Sequence, residues 1–502
     1  MSQEQVQDLM RGVREGRLSR RRFVARAAAL GFSASAIGAF LAACGAATTA
    51  TNAVPTAQAA ATNLAPTVNA AATTASGAAP TVAAVATSVA PTVNAVASQV
   101  APTVAAAATT VAGGSPAAGG GGGTIKIYSS FPANGASKDQ ISSITNSITM
   151  ALEEVKFKAG DFTLVYGDSE KLDDGSPAKS GEWDGTVEAA NANKVVADPD
   201  AMVYIATFNS GAAKVSIPIT NKADLVQISP ANTYPGLTKQ IANVVEQNEP
   251  GVYYPSNTRT YCRVIPTDDL QGAVAANFVQ SLGVKKAYVL DDTELYGHGI
   301  ALVFTSTAKK LGIDTVGPEG IDKSATDYRS LAQKVKTSGA DMVYFGGITG
   351  NNAGKIWKDL RAVLGNDFKM MGPDGIFEQG FLDAAGDAAE GTYFSFGGLP
   401  PQQLQGKGAD WYKNYKAKYN IEPQAYAAYG YEAASVVIDA LKRAGKKDRA
   451  AIRQALMATK DWDGVLGKWS FTDTGDTTLT AMSINQAKDG KFVFVKTVEA
   501  PK

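Results

Sequence analysis

The sequence predicts an α/β protein whose folded part consists of two doubly wound lobes. Short, nearly continuous apolar segments alternate with helical patterns, as expected for parallel strands that are covered on both faces. The alternation runs through one set of segments and starts again after Pro266, which indicates two lobes. The folded part begins near Thr124 and spans about 380 residues, too many for a single core of ordinary size.

The first set of alternating segments begins at Thr124. Its strands are predicted at residues 125–128, 162–166, 201–207 and 225–229. Helices are predicted at residues 138–155 and 187–196, and a third helix opens after the third strand, near Ser210. Strands and helices that take turns in this way are typical of a parallel sheet with helical crossovers.

The second set follows Pro266 and has the same character. Its strands are predicted at residues 287–290, 314–316, 341–345 and 369–371, with helices that start near residues 270, 296, 328 and 352. Three further helical patterns begin at Trp411, Ala425 and Arg449. Two closing strands are predicted at residues 481–484 and 492–495.

Small polar side chains follow two adjacent strands of the first set. Asn209 and Ser210 come directly after the strand at 201–207, and Thr233 comes after the strand at 225–229. Ligands of parallel sheets bind at the carboxyl ends of the strands, where helix N-termini present free N–H groups to an anion. The alternative is that these residues only cap helices, which is a common use of Ser, Thr and Asn.

The first 43 residues carry the pattern of an export signal. Ser19-Arg20-Arg21-Arg22-Phe23-Val24 matches the twin-arginine motif, and the apolar stretch at 27–41 has the length of a signal h-region. The stretch ends in Leu41-Ala42-Ala43-Cys44, which resembles a bacterial lipoprotein signal. The resemblance implies that Cys44 is lipid-modified and becomes the first residue of the mature protein.

Residues 44–123 are predicted to be a low-complexity tether of Ala, Thr, Pro and Val. Contiguous repeats of eleven residues occupy 79–89, 90–100 and 101–111, and no charged residue occurs between Cys44 and Gly123. Without charges or aromatic residues the segment cannot form an ordinary globular core. Regular prolines favour extended structure, whereas an eleven-residue apolar period suits a right-handed helical coil, and both alternatives remain open.

Composition excludes several functions. Lys and Arg number 47 and Asp and Glu also number 47, so net charge indicates no nucleic-acid partner. His298 is the only histidine, which excludes a multi-histidine metal site, and we expect no cofactor. We interpret Cys262 as a small packed residue, and Asp291, Asp292 and Glu294 as a solvated acidic turn rather than a metal site.

An ordered series of short motifs resembles the branched-chain amino-acid family of extracellular solute-binding proteins, which serve ATP-driven importers. The resemblance covers essentially everything after Thr124. The motifs are FNSGA at 208–212, ISPANT at 228–233, LYGHG at 295–299, FGG at 345–347, MGPDG at 371–375 and YAAYGYEA at 426–433.

The resemblance implies a type I periplasmic-binding-protein fold, in which two doubly wound, Rossmann-like lobes are joined by three crossovers. We expect the crossovers near Val264, Phe394 and Trp469. Lobe 1 then comprises residues 124–264 and 395–468, and lobe 2 comprises residues 265–394 and 469–502. The lobes are expected to close around a ligand by a hinge motion.

The resemblance also implies which residues bind the ligand's α-carboxylate. The matching positions, which use hydroxyl and backbone groups, are Asn209, Ser210, Ala231 and Thr233. The expected ligand-binding set also includes their neighbours Gly211 and Asn232. An anion at helix N-termini agrees with the favourable end of the helix dipole.

The remaining implied contacts come from the second lobe. Asp374 matches the acidic residue that pairs with the α-ammonium, and Tyr296 matches an aromatic residue that covers the ligand. Ile348 stands where some members of the family have a tyrosine, and Asp374 is shorter than the glutamate that others use. A cation at a carboxylate, opposite an anion at helix N-termini, suits a zwitterion.

The sequence therefore predicts a non-catalytic, monomeric lipoprotein that is held extracytoplasmically at the cell membrane by Cys44. It would capture an amino acid or a related small molecule and deliver it to the permease of an ABC importer. One alternative is a sensing protein of the same fold that signals to a membrane receptor. Another is a surface enzyme, for which the sequence offers no Ser/His/Asp or metal constellation.

Overall fold

The computed structural model describes residues 122–175 and 182–499. The predicted signal peptide, Cys44 and the tether lie outside the described residues. The described residues belong to one compact unit. Among their helices, none combines the length and the apolar character that a membrane crossing requires.

The order of strands and helices follows the predicted alternation. The strands are β1 (Thr124–Phe131), β2 (Lys158–Ala159), β3 (Phe162–Val165), β4 (Lys171–Asp173), β5 (Ala201–Ala206), β6 (Val226–Ser229), β7 (Tyr261–Arg263), β8 (Lys286–Asp291), β9 (Asp314–Gly320), β10 (Met342–Gly346), β11 (Lys369–Gly372), β12 (Tyr393–Phe396), β13 (Trp462–Gly464), β14 (Gly467–Trp469), β15 (Ala481–Lys488) and β16 (Lys491–Glu499). The helices are α1 (Lys138–Glu154), α2 (Gly185–Ala197), α3 (Ser210–Lys222), α4 (Asp268–Ser281), α5 (Leu295–Lys310), α6 (Arg329–Thr337), α7 (Gly354–Leu364), α8 (Gln379–Ala385), α9 (Lys407–Tyr419), α10 (Ala427–Ala444) and α11 (Arg449–Met457).

Two seven-stranded sheets organise the described residues, and we call the regions around them lobe 1 and lobe 2. The sheet of lobe 1 has the order β2-β3-β1-β5-β6-β7, with β4 also paired to β1. The sheet of lobe 2 has the order β16-β15-β12-β11-β10-β8-β9. Five neighbouring strands of each sheet, β3-β1-β5-β6-β7 and β12-β11-β10-β8-β9, are parallel and follow the doubly wound order 2-1-3-4-5, which leaves a crevice at the carboxyl ends of the strands.

The sequence explains why particular elements form and end where they do. Every residue of β5 is buried, because the strand carries apolar side chains on both faces and is covered on both. Helix α2 begins after Asp184, whose carboxylate accepts hydrogen bonds from the backbone N–H groups of Thr186 and Val187. Helix α10 ends at Gly445, which adopts the left-handed conformation with φ of 61°.

The structure adds elements that the sequence did not predict. Helix α8, strand β12 and the hairpin of β13 and β14 are short, and their sequences show no sustained period. Strand β12 belongs to the sheet of lobe 2 and continues to Phe396, two residues beyond the crossover expected near Phe394. Helices α10 and α11 pack on lobe 1, where α10 contacts α1 and α11 contacts β5.

The first and third connections between the lobes are joined by a buried ion pair. The guanidinium Nε of Arg263, at the end of β7, lies 2.7 Å from Oδ1 of Asp476. The backbone N–H of Arg263 also donates to the carbonyl oxygen of Gly475 at 3.0 Å. The side chain of Arg263 is fully buried. These contacts fasten two chain segments side by side where the chain passes between lobes.

Candidate functional site

The loops that follow β5, β6, β8, β10 and β11 meet between the two lobes. They lie at the carboxyl ends of parallel strands, where ligands of doubly wound sheets bind. Together with Tyr426 they enclose a space of about 20 Å³, which we call the inner cavity. A space of this size holds about one water molecule, so the lobes are closed in this conformation.

The structure brings most of the predicted site residues together around the inner cavity. Those that line it are Asn209, Ser210, Ala231 and Thr233 from lobe 1, and Tyr296, Ile348 and Asp374 from lobe 2. Gly211 and Asn232 do not line it. Three lining residues were not predicted: Phe208, Gly375 and Tyr426.

The first turn of α3 presents hydrogen-bonding groups to the inner cavity. Asn209 occupies the N-cap position, and its backbone oxygen accepts from the N–H groups of Ala212 and Ala213. Its side chain makes no capping bond, and its carboxamide oxygen has no partner among the described residues. The capping alternative therefore accounts for the backbone of Asn209 but not for its side chain. The N–H groups of the first helical turn have no intrahelical partner and suit an anion.

The neighbouring turn after β6 is held by internal hydrogen bonds. The hydroxyl of Ser229 accepts from the N–H groups of Ala231 and Asn232 at 3.0 and 2.9 Å. The side-chain nitrogen of Asn232 donates to the carbonyl oxygen of Phe208 at 2.9 Å, and its oxygen accepts from the hydroxyl of Tyr261. Asn232 therefore ties the two turns together from behind the inner cavity.

Asp374 lies at the centre of a hydrogen-bond network that spans the cleft. Its Oδ1 accepts from Nε2 of Gln271 at 2.6 Å and from the hydroxyl of Tyr296 at 2.7 Å. Its Oδ2 accepts from the hydroxyl of Tyr426, which belongs to the opposite lobe. Burial raises the pKa of Asp374, and these three hydrogen bonds oppose the rise. The carboxylate is thus fixed in place and only 5% exposed.

A second buried carboxylate, Asp268, stands beside Asp374. It is the first residue of α4, and its backbone N–H donates to the carbonyl oxygen of Thr233 at 2.9 Å. Neither of its carboxylate oxygens has a hydrogen bond of good geometry among the described residues. Burial and the charge of Asp374 raise its pKa well above the usual range, and the nearby hydroxyl of Thr233 opposes this only in part.

The sequence contained a weak signal for Asp268. An acidic residue in the first turn of a helix ordinarily serves the helix dipole, so it attracts no functional interpretation. Gln271, three residues further on, lies on the same face of α4 and reaches Asp374. The spacing of Asp268 and Gln271 therefore identifies the face of α4 that is directed at the cleft. This can be recognised only once the position of Asp374 is known.

The acidic turn after β8 is buried, so the interpretation of it as solvated was wrong for Asp291 and Asp292. These residues are 1% and 0% exposed. Oδ2 of Asp292 accepts from the N–H of Ile348 at 3.1 Å and from Nδ2 of Asn351 at 2.8 Å. Burial raises the pKa of Asp292 to about 6. The carboxylate holds the loop that carries Ile348, because that loop offers one backbone donor and one side-chain donor to it.

Cys262 and His298, for which the sequence predicted no functional role, occupy positions that are common for structural residues. Cys262 is fully buried in β7, and burial raises the pKa of its thiol. Nδ1 of His298 lies 3.0 Å from Oδ2 of Asp291 on a half-exposed side chain. Within residues 122–175 and 182–499, no group of three or more acidic, His or Cys side chains is placed to hold a metal ion.

The two lobes bring different chemical groups to the inner cavity. Lobe 1 contributes Ser210 and the start of α3, which offer hydroxyl and N–H donors. Lobe 2 contributes the buried carboxylate of Asp374, and the buried carboxylate of Asp268 lies near it, outside the cavity lining. Such an arrangement favours a small molecule with an anionic and a cationic group.

Comparison with known proteins identifies similar chains. A family model described as periplasmic binding protein matches residues 180–491. The chain is 28% identical over 359 residues to a Leu/Ile/Val-binding protein, BraC3, of Rhizobium johnstonii, a match that covers 70% of this chain and 88% of that protein.

Two solved structures have the same fold. A leucine-binding protein, LivK, of Thermotoga maritima superposes with a TM-score of 0.65 at 23% identity, covering 75% of this chain and 99% of that one. A branched-chain amino-acid transporter substrate-binding protein, LivJ, of Streptococcus pneumoniae, solved with isoleucine, gives a TM-score of 0.62 at 24% identity, covering 75% of this chain and 100% of that one. These likenesses confirm the predicted fold class.

Proposed function

Because the chain belongs to the periplasmic binding protein family, whose model matches residues 180–491, we propose that it captures an amino acid in the interlobe cleft. The observation that carries the proposal is the pairing, around one closed cavity, of donors on lobe 1 with the buried carboxylate of Asp374, near which Asp268 is also buried. A free amino acid carries the complementary charges about two bonds apart. The relatives named for leucine, isoleucine and valine support an amino-acid ligand.

In this proposal each end of the ligand has a defined partner. The α-carboxylate is held by the hydroxyls of Ser210 and Thr233 and by the free N–H groups at the start of α3. The α-ammonium lies between Asp374 and Asp268, where ion pairing is strong because closure excludes water. Tyr296 covers the ligand from lobe 2, and Ile348 contributes an apolar contact.

We further propose that the protein delivers its ligand to the permease of an ABC importer. The structural neighbour from Streptococcus pneumoniae is described as a transporter substrate-binding protein, which supports this role. The family supports an extracytoplasmic location, and the Leu-Ala-Ala-Cys motif supports lipid anchoring at Cys44. A Cys44→Ala variant should lose its partition into membranes; continued anchoring of that variant would contradict the lipid assignment.

The proposal is tested by Asp374→Asn together with a ligand screen. The screen measures the melting temperature with each amino acid, since a ligand that binds the folded state raises it. For the best ligand, calorimetry on Asp374→Asn should show a loss of about 3–5 kcal/mol, because one partner of a buried ion pair is removed. That loss corresponds to roughly two to four decades in affinity.

Asp367→Asn is the matched control, since Asp367 is exposed and lies before the opposite end of the same strand, β11. It should leave the affinity unchanged. An Asp374→Asn variant that binds the amino acid as tightly as the wild type would remove the cation site from the proposal.

A further inference from the structure

The two lobes also touch each other outside the inner cavity, and helix α8 of lobe 2 makes one of these contacts. Gly380, the second residue of α8, lies against the backbone of Ala136, which precedes α1 in lobe 1. A Cβ atom at position 380 would overlap the carbonyl oxygen of Ala136 and lie 3.0 Å from its carbonyl carbon. The backbones of the two lobes can approach this closely only because residue 380 has no side chain.

Hydrogen bonds between the lobes surround the contact of Gly380. The hydroxyl of Ser137 in lobe 1 donates to Oε1 of Glu378 at 2.9 Å. The backbone N–H of Gln379, the first residue of α8, donates to Oε1 of Gln424 in lobe 1 at 3.3 Å. An N–H group of the first helical turn has no partner within its own helix, so this bond satisfies it from the opposite lobe. The start of α8 therefore docks on lobe 1.

Helix α5 of lobe 2 makes a second contact of the same kind. Gly299, the fifth residue of α5, faces the ring of Tyr234 in lobe 1, where a Cβ atom would lie 2.7 and 2.8 Å from Cδ2 and Cε2. Leu295, one turn earlier, packs against the buried cluster to which Tyr234 belongs. Helix α5 thus meets lobe 1 through a residue that has no side chain.

The ring of Tyr234 has little room to withdraw from α5. It is 2% exposed, and its hydroxyl donates to Oε2 of Glu249 at 2.8 Å. Its opposite edge packs against Gly236. A methyl group at position 299 would therefore push against a fixed side chain, as a methyl group at position 380 would push against fixed backbone.

Neither glycine is needed by its own helix. Gly299 and Gly380 lie within helical segments, and neither has a positive φ. Alanine is favoured over glycine inside a helix, because glycine loses more conformational freedom on folding. At both positions the nearest atoms to an added Cβ belong to the opposite lobe. The missing side chains therefore serve the contact between lobes.

We propose that Gly299 and Gly380 are positioning residues for ligand capture, because they let α5 and α8 approach lobe 1 closely enough for the inner cavity to close. Neither residue lines that cavity, so each acts through the relative placement of the lobes. The inference rests on the proposed function, since it concerns how tightly a captured amino acid is held. A methyl group at either position acts as a wedge that favours an open conformation, in which Ser210 and Asp374 lie further apart.

The first test is the affinity of Gly380→Ala for L-leucine, measured by calorimetry beside the wild type. An added methyl group in a tight contact disfavours the closed state, so the affinity should fall roughly ten- to hundredfold. The melting temperature of the unliganded variant should not fall, because alanine suits the helix and opening relieves the overlap. A merely structural role for Gly380 would lower the melting temperature as well.

Small-angle scattering reports closure without any amino acid. Gly380→Ala should have a larger radius of gyration than the wild type, and Gly299→Ala should show the same change to a smaller extent, because a ring yields more than backbone does. Gly251→Ala is the matched control, since Gly251 is exposed, has no positive φ and has no atom of the described residues within 4 Å of an added Cβ. It should leave both the radius and the affinity unchanged.

Wild-type affinity for L-leucine in Gly299→Ala and Gly380→Ala would overturn the inference, as would a lowered affinity with an unchanged radius of gyration. If Gly380→Ala does not fold, Gly299→Ala decides. If L-leucine does not bind the wild type, the radii of gyration alone decide the inference. Failure of every standard amino acid to bind the wild type would contradict the proposed function and leave the scattering result to stand by itself.

Discussion

At the scale of single residues, the carboxylate of Asp374, which lines the inner cavity, and that of its neighbour Asp268 differ in how their charge is stabilised. Asp374 accepts three hydrogen bonds, whereas Asp268 accepts none of good geometry among the described residues. A buried charge without partners is costly, and a site that binds a cation commonly carries such a cost until the ligand arrives. Asp268 is therefore the residue at which stability and binding should oppose each other.

We expect Asp268→Asn to raise the melting temperature of the unliganded protein and to lower its affinity for the amino acid. The pKa of Asp268 is raised by burial and by Asp374, so ionisation favours the unfolded chain. Its contribution to stability is full below the unfolded pKa of about 3.9 and is lost as pH rises through the folded pKa. At pH 7 the neutral amide of the variant avoids this loss of stability. Calorimetry measures both the melting temperature of the unliganded protein and its affinity for the amino acid.

Asp269→Asn is the control for this prediction. Asp269 is the next residue of α4, but its carboxylate lies 3.0 Å from Nζ of Lys239, so its charge is partnered. Its removal should not raise the melting temperature. A destabilised Asp268→Asn protein with normal affinity would assign Asp268 a structural role instead.

At the scale of elements, the connections between lobes depend on one buried ion pair. Asp476 is buried, which raises its pKa, but the charges of Arg263 and Lys239 outweigh burial and hold the pKa below its usual range. The remaining guanidinium N–H groups of Arg263 donate to the carbonyl oxygens of Asn232 and Tyr234 and to Thr238. This one side chain thus fixes the turn after β6 and the third connection together.

We expect Asp476→Asn to lower the free energy of unfolding by about 3–5 kcal/mol, because the guanidinium would be left buried without its counter-charge. Chemical denaturation measures the change. Asp463→Asn is the control, since Asp463 pairs with Lys407 where both side chains are largely exposed, and it should have no measurable effect. Equal stability of the two variants would show that the pair does not hold the connections.

The sequence predicted most elements of both sheets because their apolar segments are continuous and bounded by turn residues. Strands β5 and β6 and helix α3 were predicted within one or two residues at the ends that form the site. Strand β12 was missed because its pairing with β15 depends on a segment almost a hundred residues away in the sequence. Local pattern carries no information about such a partner.

At the scale of the whole molecule, buried glutamates, among them Glu378 and Glu432, make stability depend on pH. Burial raises the pKa of both Glu378 and Glu432 to about 7. Their contribution to stability is full below the unfolded value of about 4.3 and is lost as pH rises through about 7. The pKa of Asp476 is lowered, so the pH dependence of its contribution to stability is the opposite: that contribution is present at neutral pH and is lost only at acid pH.

We therefore expect the melting temperature of the unliganded protein to decline between about pH 5 and pH 8. Thermal unfolding at intervals of pH measures the decline, and Glu378→Gln should flatten part of it because one of the two glutamates no longer titrates. A melting temperature that rises steadily from pH 5 to pH 8 would contradict this account.

The candidate site shows the limit of sequence analysis at this same scale. The residues that end strands were predicted, because the carboxyl ends of parallel strands meet at one edge. Asp268, Gln271 and Tyr426 were not, because each comes close to Asp374 only after the chain has crossed between lobes. Their roles depend on how two separately folded sheets face each other.

Two hydrogen bonds join residues of opposite lobes directly: Tyr426 to Asp374, and Ser137 to Glu378. They favour the closed conformation, in which the inner cavity has room for about one water molecule. Molecules in this state cannot admit a ligand, so the apparent dissociation constant rises as the open fraction falls. In the proposed importer, the two bonds would thus help to set the solute concentration at which uptake begins. They would also help to set how often a permease meets an unloaded carrier in the shape of a loaded one, at the risk of ATP hydrolysis without cargo.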